Sequence, residues 1–233
     1  MRLAILCFSI GLLSCSHPPE PLPSPPSPSL PTVNQHLTGV DLSNHQGQVD
    51  FQQIKQAGMT FVFIKATQGE TFVDPDYAQN MAAARAAGLA AGPYHFYMTN
   101  DQPETQFANL SKTVSLQSGD LPPVVDIEVL HKGTLPEMAV NLRSFLDKIE
   151  THYGVKPILY TGVRFANEHL KDFGEYPLWI AEYKVDAPSL PQGWKGWTIW
   201  QYSQEASVAG VDGPVDANRL NGDETLLKSF LVP

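Results

Sequence analysis

The chain has 233 residues, 42% of them hydrophobic and 17% charged, a balance that supplies an ordinary buried core and excludes wholesale disorder. Its net charge of -9 and the lack of any Lys/Arg-rich run exclude nucleic acid as a partner. Its two cysteines, Cys7 and Cys15, fall in the first fifteen residues, which excludes a disulfide or thiolate metal site in the rest.

The N-terminus reads as an export signal. Arg2 is a minimal positive region, and Leu3 to Leu13 is an apolar stretch too short to span a bilayer as a helix, which needs about 20 residues. Leu12-Leu13-Ser14-Cys15 resembles the lipobox of bacterial lipoproteins, which implies cleavage before Cys15 and a lipid on its sulfur. Residues 15–36 are then the lipidated Cys15 and a tether over 16–36. Pro18, Pro19, Pro21, Pro23, Pro25, Pro26, Pro28 and Pro31 favour extended polyproline II, and twenty-one such residues reach about 65 Å at roughly 3.1 Å per residue. The expected location is the bacterial cell envelope, anchored through lipid on Cys15. Ser16 resembles the sorting signal for an outer membrane.

From Leu37 the pattern becomes that of a folded domain, residues 37–233. Leu37–Leu42 reads as a strand, and Asp50–Ala57 as a short helix closed by Gly58. Thr60–Ala66 is a buried strand. Asp74–Ala87 is a helix with Pro75 in its first turn, stopped by Gly88. Leu89–Met98 is a strand, Glu104–Leu116 a helix, Pro123–Val129 a strand and Pro136–Tyr153 a long helix ended by Gly154. Strands follow at Pro157–Tyr160, Leu178–Glu182, Trp197–Tyr202 and Pro214–Ala217, with a last helix at Asp223–Phe230.

Strand and helix in repetition mean parallel strands with crossover helices. Eight strand candidates predict a single-domain α/β fold, an irregular TIM-like (β/α) barrel whose C-terminal part lacks full helices. An open doubly wound sheet is the alternative. No glycine-rich loop follows the first strand, which argues against nucleotide binding.

In such a barrel the chemistry sits at the C-terminal ends of the strands. Asp41 ends the first strand, Asp126 and Glu128 the fourth, and Asp216 the last. Residues two apart on a strand share a face, so Asp126 and Glu128 point together while Val125 and Ile127 point into apolar packing. Paired carboxylates raise one another's pKa, which is the requirement of glycoside hydrolysis. Solvated acids at a strand edge are the bland reading of the same pair. Aromatics gather at matching ends: Tyr94 and Phe96, Tyr160, Trp179, Trp200 and Tyr202. They are candidate platforms for sugar faces, or core. Lys65 either pairs with a rim carboxylate or binds substrate, His95 faces the helices, and the role of His45 stays open. No calcium-type loop and no histidine pair at ligand spacing is present, so neither a metal nor a cofactor is expected.

Taken together, Gly39-Val40-Asp41-Leu42-Ser43 with Gln46-Gly47, Phe63-Ile64-Lys65-Ala66-Thr67, Gly92-Pro93-Tyr94-His95-Phe96, Asp126-Ile127-Glu128, Trp200-Gln201-Tyr202 and Val215-Asp216-Ala217-Asn218 resemble glycoside hydrolase family 25, the Chalaropsis-type lysozymes. The resemblance runs in order through residues 37–233. It implies an incomplete β/α barrel with an acidic groove that cleaves peptidoglycan between N-acetylmuramic acid and N-acetylglucosamine. It implies Glu128 as general acid, with Asp126 either orienting the substrate's acetamido group or acting as nucleophile. Asp41 and Asp216 would complete the acidic centre, and Asn218 joins the aromatics and Lys65 as a substrate contact. Gln68 departs from the glutamate of many members, which implies altered subsite contacts. An acidic chain gains no steering toward an anionic wall, so glycan would be held by stacking and hydrogen bonds. No wall-binding repeats follow the domain, so retention is expected to depend on the anchor, and a monomer is expected. A chitinase-like barrel is the rival hydrolase, but its D-x-x-D-x-D-x-E pattern fails at Val124 and at Leu121 or Pro122. A non-catalytic peptidoglycan-binding lipoprotein is the other alternative.

Overall fold

The computed structural model describes residues 36–134 and 136–233. The expected export signal, the lipidation site at Cys15 and the tether as far as residue 35 lie outside them.

Eight strands close into a barrel: β1 (Thr38–Leu42), β2 (Phe61–Gln68), β4 (Ala90–Phe96), β5 (Val124–Asp126), β6 (Ile158–Gly162), β7 (Leu178–Ala181), β8 (Ile199–Ala206) and β9 (Val215–Leu220). A two-residue strand, β3 (Phe72–Val73), folds back antiparallel onto the end of β2. Neighbours from β1 through β8 pair in parallel. The sheet closes through β9, which runs antiparallel to both β8 and β1. The expected barrel is present, and the expectation of parallel strands throughout is corrected at β9. The eight-residue link from β8 to β9 is too short for a crossover helix, so the chain turns back as a hairpin.

The helices start and stop where their end residues dictate. Asp50 caps α1 (Phe51–Gln56) by accepting from the backbone N–H groups of Gln52 and Gln53. α2 (Tyr77–Ala86) begins three residues later than its pattern suggests. Asp74 instead accepts from the backbone of Asp76 and of Asn44, tying the turn to the loop after β1. Pro103 opens α3 (Pro103–Thr113), and Gly154, at φ 69°, ends α4 (Met138–Tyr153). The pattern missed α5 (Val163–His169), which springs directly from β6. No helix separates β7 from β8 or β8 from β9, and α6 (Glu224–Phe230) follows the last strand.

Strand alternation divides the interior in two. Val40, Val62, Ile64, Val125, Ile127, Leu159 and Ile180 point outward into the core beneath the helices. Phe61, Phe63, Val124, Ile158, Tyr160, Trp179, Ile199 and Leu220 fill the barrel itself. Each buried side chain of this size contributes about 1.5–3 kcal/mol relative to exposure. Gly39 and Gly92 face inward where no side chain fits: a Cβ on Gly39 would stand 2.5 Å from the Phe61 ring, and one on Gly92 2.8 Å from Phe63. Leu226, Leu227 and Phe230 of α6 pack on the inner core together with Leu37. That floor seals one end and leaves the other as a mouth.

Candidate active site

The inward-facing residues at the open end line a cavity of about 200 Å³. Asp41, Lys65, Tyr94, Phe96, Asp126, Glu128, Tyr160, Trp179, Gln201 and Asp216 all face it, with Ser43 and His45 at the entrance. The four expected carboxylates therefore do come together. β5 is shorter than its pattern: it ends at Asp126, and Glu128 stands just past it, still on the inner side. Asp216 arrives by a different route from the one expected. It lies near the start of β9, not at its end, and reaches the mouth because that strand runs backwards, placing it directly opposite Asp41.

Asp41 is held by a buried amide network. Its Oδ1 accepts from Gln201 Nε2 at 2.9 Å and from Asn218 Nδ2 at 2.7 Å. Asn218 is fully buried, and its own oxygen accepts from the Trp179 indole N–H at 2.8 Å. The Gln201 oxygen accepts from the Tyr160 hydroxyl at 2.8 Å and also from that of Tyr183. Two acceptor bonds orient the Gln201 amide, so its NH2 is aimed at Asp41.

Burial raises all four carboxyl groups. Asp41 goes to about 7, through burial and then the nearby charge of Asp216. Asp126 rises well above the ordinary carboxylate range, through burial first, then Glu128 and Asp41. Glu128 is raised by its partly buried setting and by Asp216, against the opposing charge of Lys65. Asp216 is raised by burial. The centre therefore retains protons that separated carboxylates would have lost. Among the described residues, Asp126 Oδ1 is buried without a hydrogen-bond partner. An unpaired buried acceptor costs about 1–3 kcal/mol, and such groups in a cleft mark sites where a ligand donor belongs.

Lys65 reaches the mouth through an irregularity in β2. The β2–β4 register slips between Lys65 and Thr67. The slip turns Thr67 outward, where its hydroxyl meets His95 Nδ1 at 2.7 Å. His95 is buried on the helix side as expected, also bonded to Gln106, with its pKa lowered to about 4 by burial. The same bulge brings Lys65 and Gln68, three residues apart, to one face, and Lys65 Nζ donates to Gln68 Oε1 at 2.7 Å. Lys65 also sits 5.2 Å from the Phe96 ring centroid. Its partner is thus the Gln68 amide. Among the described residues no carboxylate forms an ion pair with it.

Three expected substrate contacts are corrected. Trp200 and Tyr202 point outward from β8, since alternation gives the inner position to Gln201 between them. Their rings pack with Trp197 and Arg219 on the outer face. Asn218 cannot touch a ligand while fully buried, and acts on Asp41 instead. Tyr94, Phe96, Tyr160, Trp179 and Lys65 do line the cavity. Gln201 and Tyr183 were missed as functional candidates. Alternation would have found Gln201, whereas Tyr183 lies on an irregular segment with no periodic signal. Among the described residues, no three of His, Cys, Asp and Glu are arranged to hold a metal ion.

Residues 40–211 match the profile of the glycosyl hydrolases family 25. Over 201 residues the chain is 34% identical to YegX of Escherichia coli strain K12, covering 84% of this chain and 73% of YegX. It is 31% identical over 211 residues to lysozyme M1 of Streptomyces globisporus, covering 84% of this chain and 72% of that protein. The crystal structure of a bacterial lysozyme from Streptomyces coelicolor resembles it with a TM-score of 0.80 at 30% identity, covering 84% of this chain and 97% of that one.

Proposed function

The chain belongs to glycosyl hydrolase family 25 and is a glycoside hydrolase, and from that premise we propose that it is a muramidase whose acid is Glu128 and whose assisting group is Asp126. Peptidoglycan is the substrate, cut at the β-1,4 bond between N-acetylmuramic acid and N-acetylglucosamine. The carrying observation is the pairing of a raised carboxyl at the entrance with a buried, unpartnered carboxylate oxygen beside it.

A sugar at the bottom of the cavity meets the rings of Tyr94 and Trp179 where they line it. Its 2-acetamido N–H supplies the donor that Asp126 Oδ1 lacks. That bond draws electron density toward the acetamido oxygen, which attacks C1 as the glycosidic bond breaks. Glu128, whose hold on its proton is strengthened by desolvation and by Asp216, gives that proton to the departing oxygen. As positive charge grows on the sugar and its amide, the ionised form of Asp126 is favoured and its raised pKa falls. Glu128, now a carboxylate, removes a proton from the water that opens the intermediate at C1 and ends protonated again. Asp41 and Asp216 hold the negative field that supports this charge.

Glu128→Gln tests the assignment. It keeps the shape and a hydrogen bond but carries no transferable proton, so release of reducing ends from sacculi drops by at least about 100-fold, the scale of a lost general acid, with a melting temperature no lower than that of the wild type. Full retained activity would remove Glu128 from the role.

We further propose that the chain is exported and anchored in the cell envelope through lipid on Cys15. The support is the Leu12-Leu13-Ser14-Cys15 segment and the proline-rich stretch after it. Metabolic labelling with a fatty acid tests this: label retained by the wild type and lost in Cys15→Ala supports the anchor, and label in neither rejects it.

A further inference from the structure

Just past Glu128 the surface opens into a second cavity, of about 370 Å³. Of the four carboxylates in the centre, Glu128 alone lines it, so it continues the catalytic cavity past the acid. Val129, Leu130 and Phe165 give it apolar walls, and Arg164, Glu168 and His169 give it polar ones. Val129 and Leu130 are 43% and 48% exposed, two branched aliphatic side chains held open to water beside the acid. A sugar face stacks on flat aromatic rings. Branched aliphatics offer no such plane and instead fit methyl groups. Arg164 is 89% exposed and uses its Nε on Glu168 at 2.8 Å. Its two terminal nitrogens donate to no partner among the described residues and are available to a carboxylate.

An acid protonates the oxygen that leaves, so a cavity reached past Glu128 and not bordered by Asp126 holds the leaving strand. That strand begins with N-acetylglucosamine, and its second sugar, N-acetylmuramic acid, carries the methyl-bearing lactyl and alanyl units followed by peptide carboxylates. We propose that this cavity is a subsite for the stem peptide on the leaving-group side, with Val129 and Leu130 against its methyl groups and Arg164 at its carboxylates. The subsite rests on the muramidase reading and extends it: the chain prefers peptide-bearing glycan over bare glycan.

The test compares two substrates, soluble glycan strands with their stem peptides and the same strands stripped by an amidase. The full-length wild type is expected to show a kcat/KM about fivefold higher on peptide-bearing strands, the worth of covering one or two methyl groups. In the double variant Val129→Ser/Leu130→Ser that ratio falls toward one through a rise in KM. In Arg164→Gln it falls partway, and the Arg164 contribution disappears at high salt. The replaced side chains are surface groups, and an unchanged melting temperature checks the fold. Cleavage of both substrates with a ratio that is one in the wild type, or unchanged in the double variant, overturns the subsite alone. Cleavage of neither overturns the muramidase reading and the subsite with it.

Discussion

Asp41 on β1 and Asp216 on β9 face each other in register across an antiparallel strand pair, and the charge of Asp216 helps raise the pKa of Asp41. The folded state holds a proton here that the unfolded chain releases. Asp41 moves from an ordinary 3.8 to about 7. Between those values the native state binds more protons, so stability falls as pH rises from about 4 to about 7 and then levels off. Asp126, Glu128 and Asp216 are raised as well and add to the same slope. Calorimetry is expected to give a higher melting temperature at pH 5 than at pH 8. Asp41→Asn keeps an acceptor for Gln201 and Asn218 and removes one titrating group. It is expected to flatten the slope and to stabilise the domain at pH 8 by about 2 kcal/mol. A pH-independent wild type would contradict the crowding.

Gln201 links three side chains to the acidic centre. Gln201→Leu leaves Asp41 with one donor and strips the acceptor from two tyrosine hydroxyls. The expected loss is about 3 kcal/mol of stability in urea unfolding, with a larger loss of activity than of folded protein. A change below about 0.5 kcal/mol would mean that the network is ornamental.

An ion pair with one buried partner, away from the mouth, serves as the contrasting case. Asp120 is 2% exposed and accepts from Arg85 at 2.6 and 2.8 Å and from the backbone of Gln117 at 2.7 Å. Asp120→Ala is expected to cost about 2 kcal/mol, because the Gln117 N–H and the half-buried Arg85 both lose their acceptor. Activity per folded molecule stays unchanged, measured well below the melting temperature. A selective loss of kcat would show coupling that the structure gives no route for.

Gln68→Glu probes the bulge in β2. It sets a carboxylate at the 2.7 Å contact with Lys65 and adds a negative charge to the rim. KM on sacculi is expected to shift by about threefold at low salt, with the shift suppressed at high salt. An effect on kcat that persists in salt would move Lys65 from the binding surface into the chemistry.

Much of this architecture is legible in the sequence. Phe61-Val62-Phe63-Ile64 is apolar on both faces, as a strand between two cores requires, and the matching ends of β1 and β5 point Asp41 and Asp126 at one mouth. Strand direction is not legible in so short a segment as Pro214–Ala217, so the antiparallel return of Asp216 was hidden. Residue type favours Trp200 and Tyr202 as sugar platforms, whereas period two gives the inner position to Gln201. The bulge at Ala66, which turns Lys65 toward Gln68, has no local signature because alanine fits either geometry. Phe72–Val73 is too short for a period, and α5 follows β6 without an intervening turn.

The most direct measurement is mass spectrometry of the fragments released from purified sacculi by the full chain. The account predicts fragments ending in reducing N-acetylmuramic acid. Fragments ending in reducing N-acetylglucosamine, or sacculi left intact by folded protein, would contradict it.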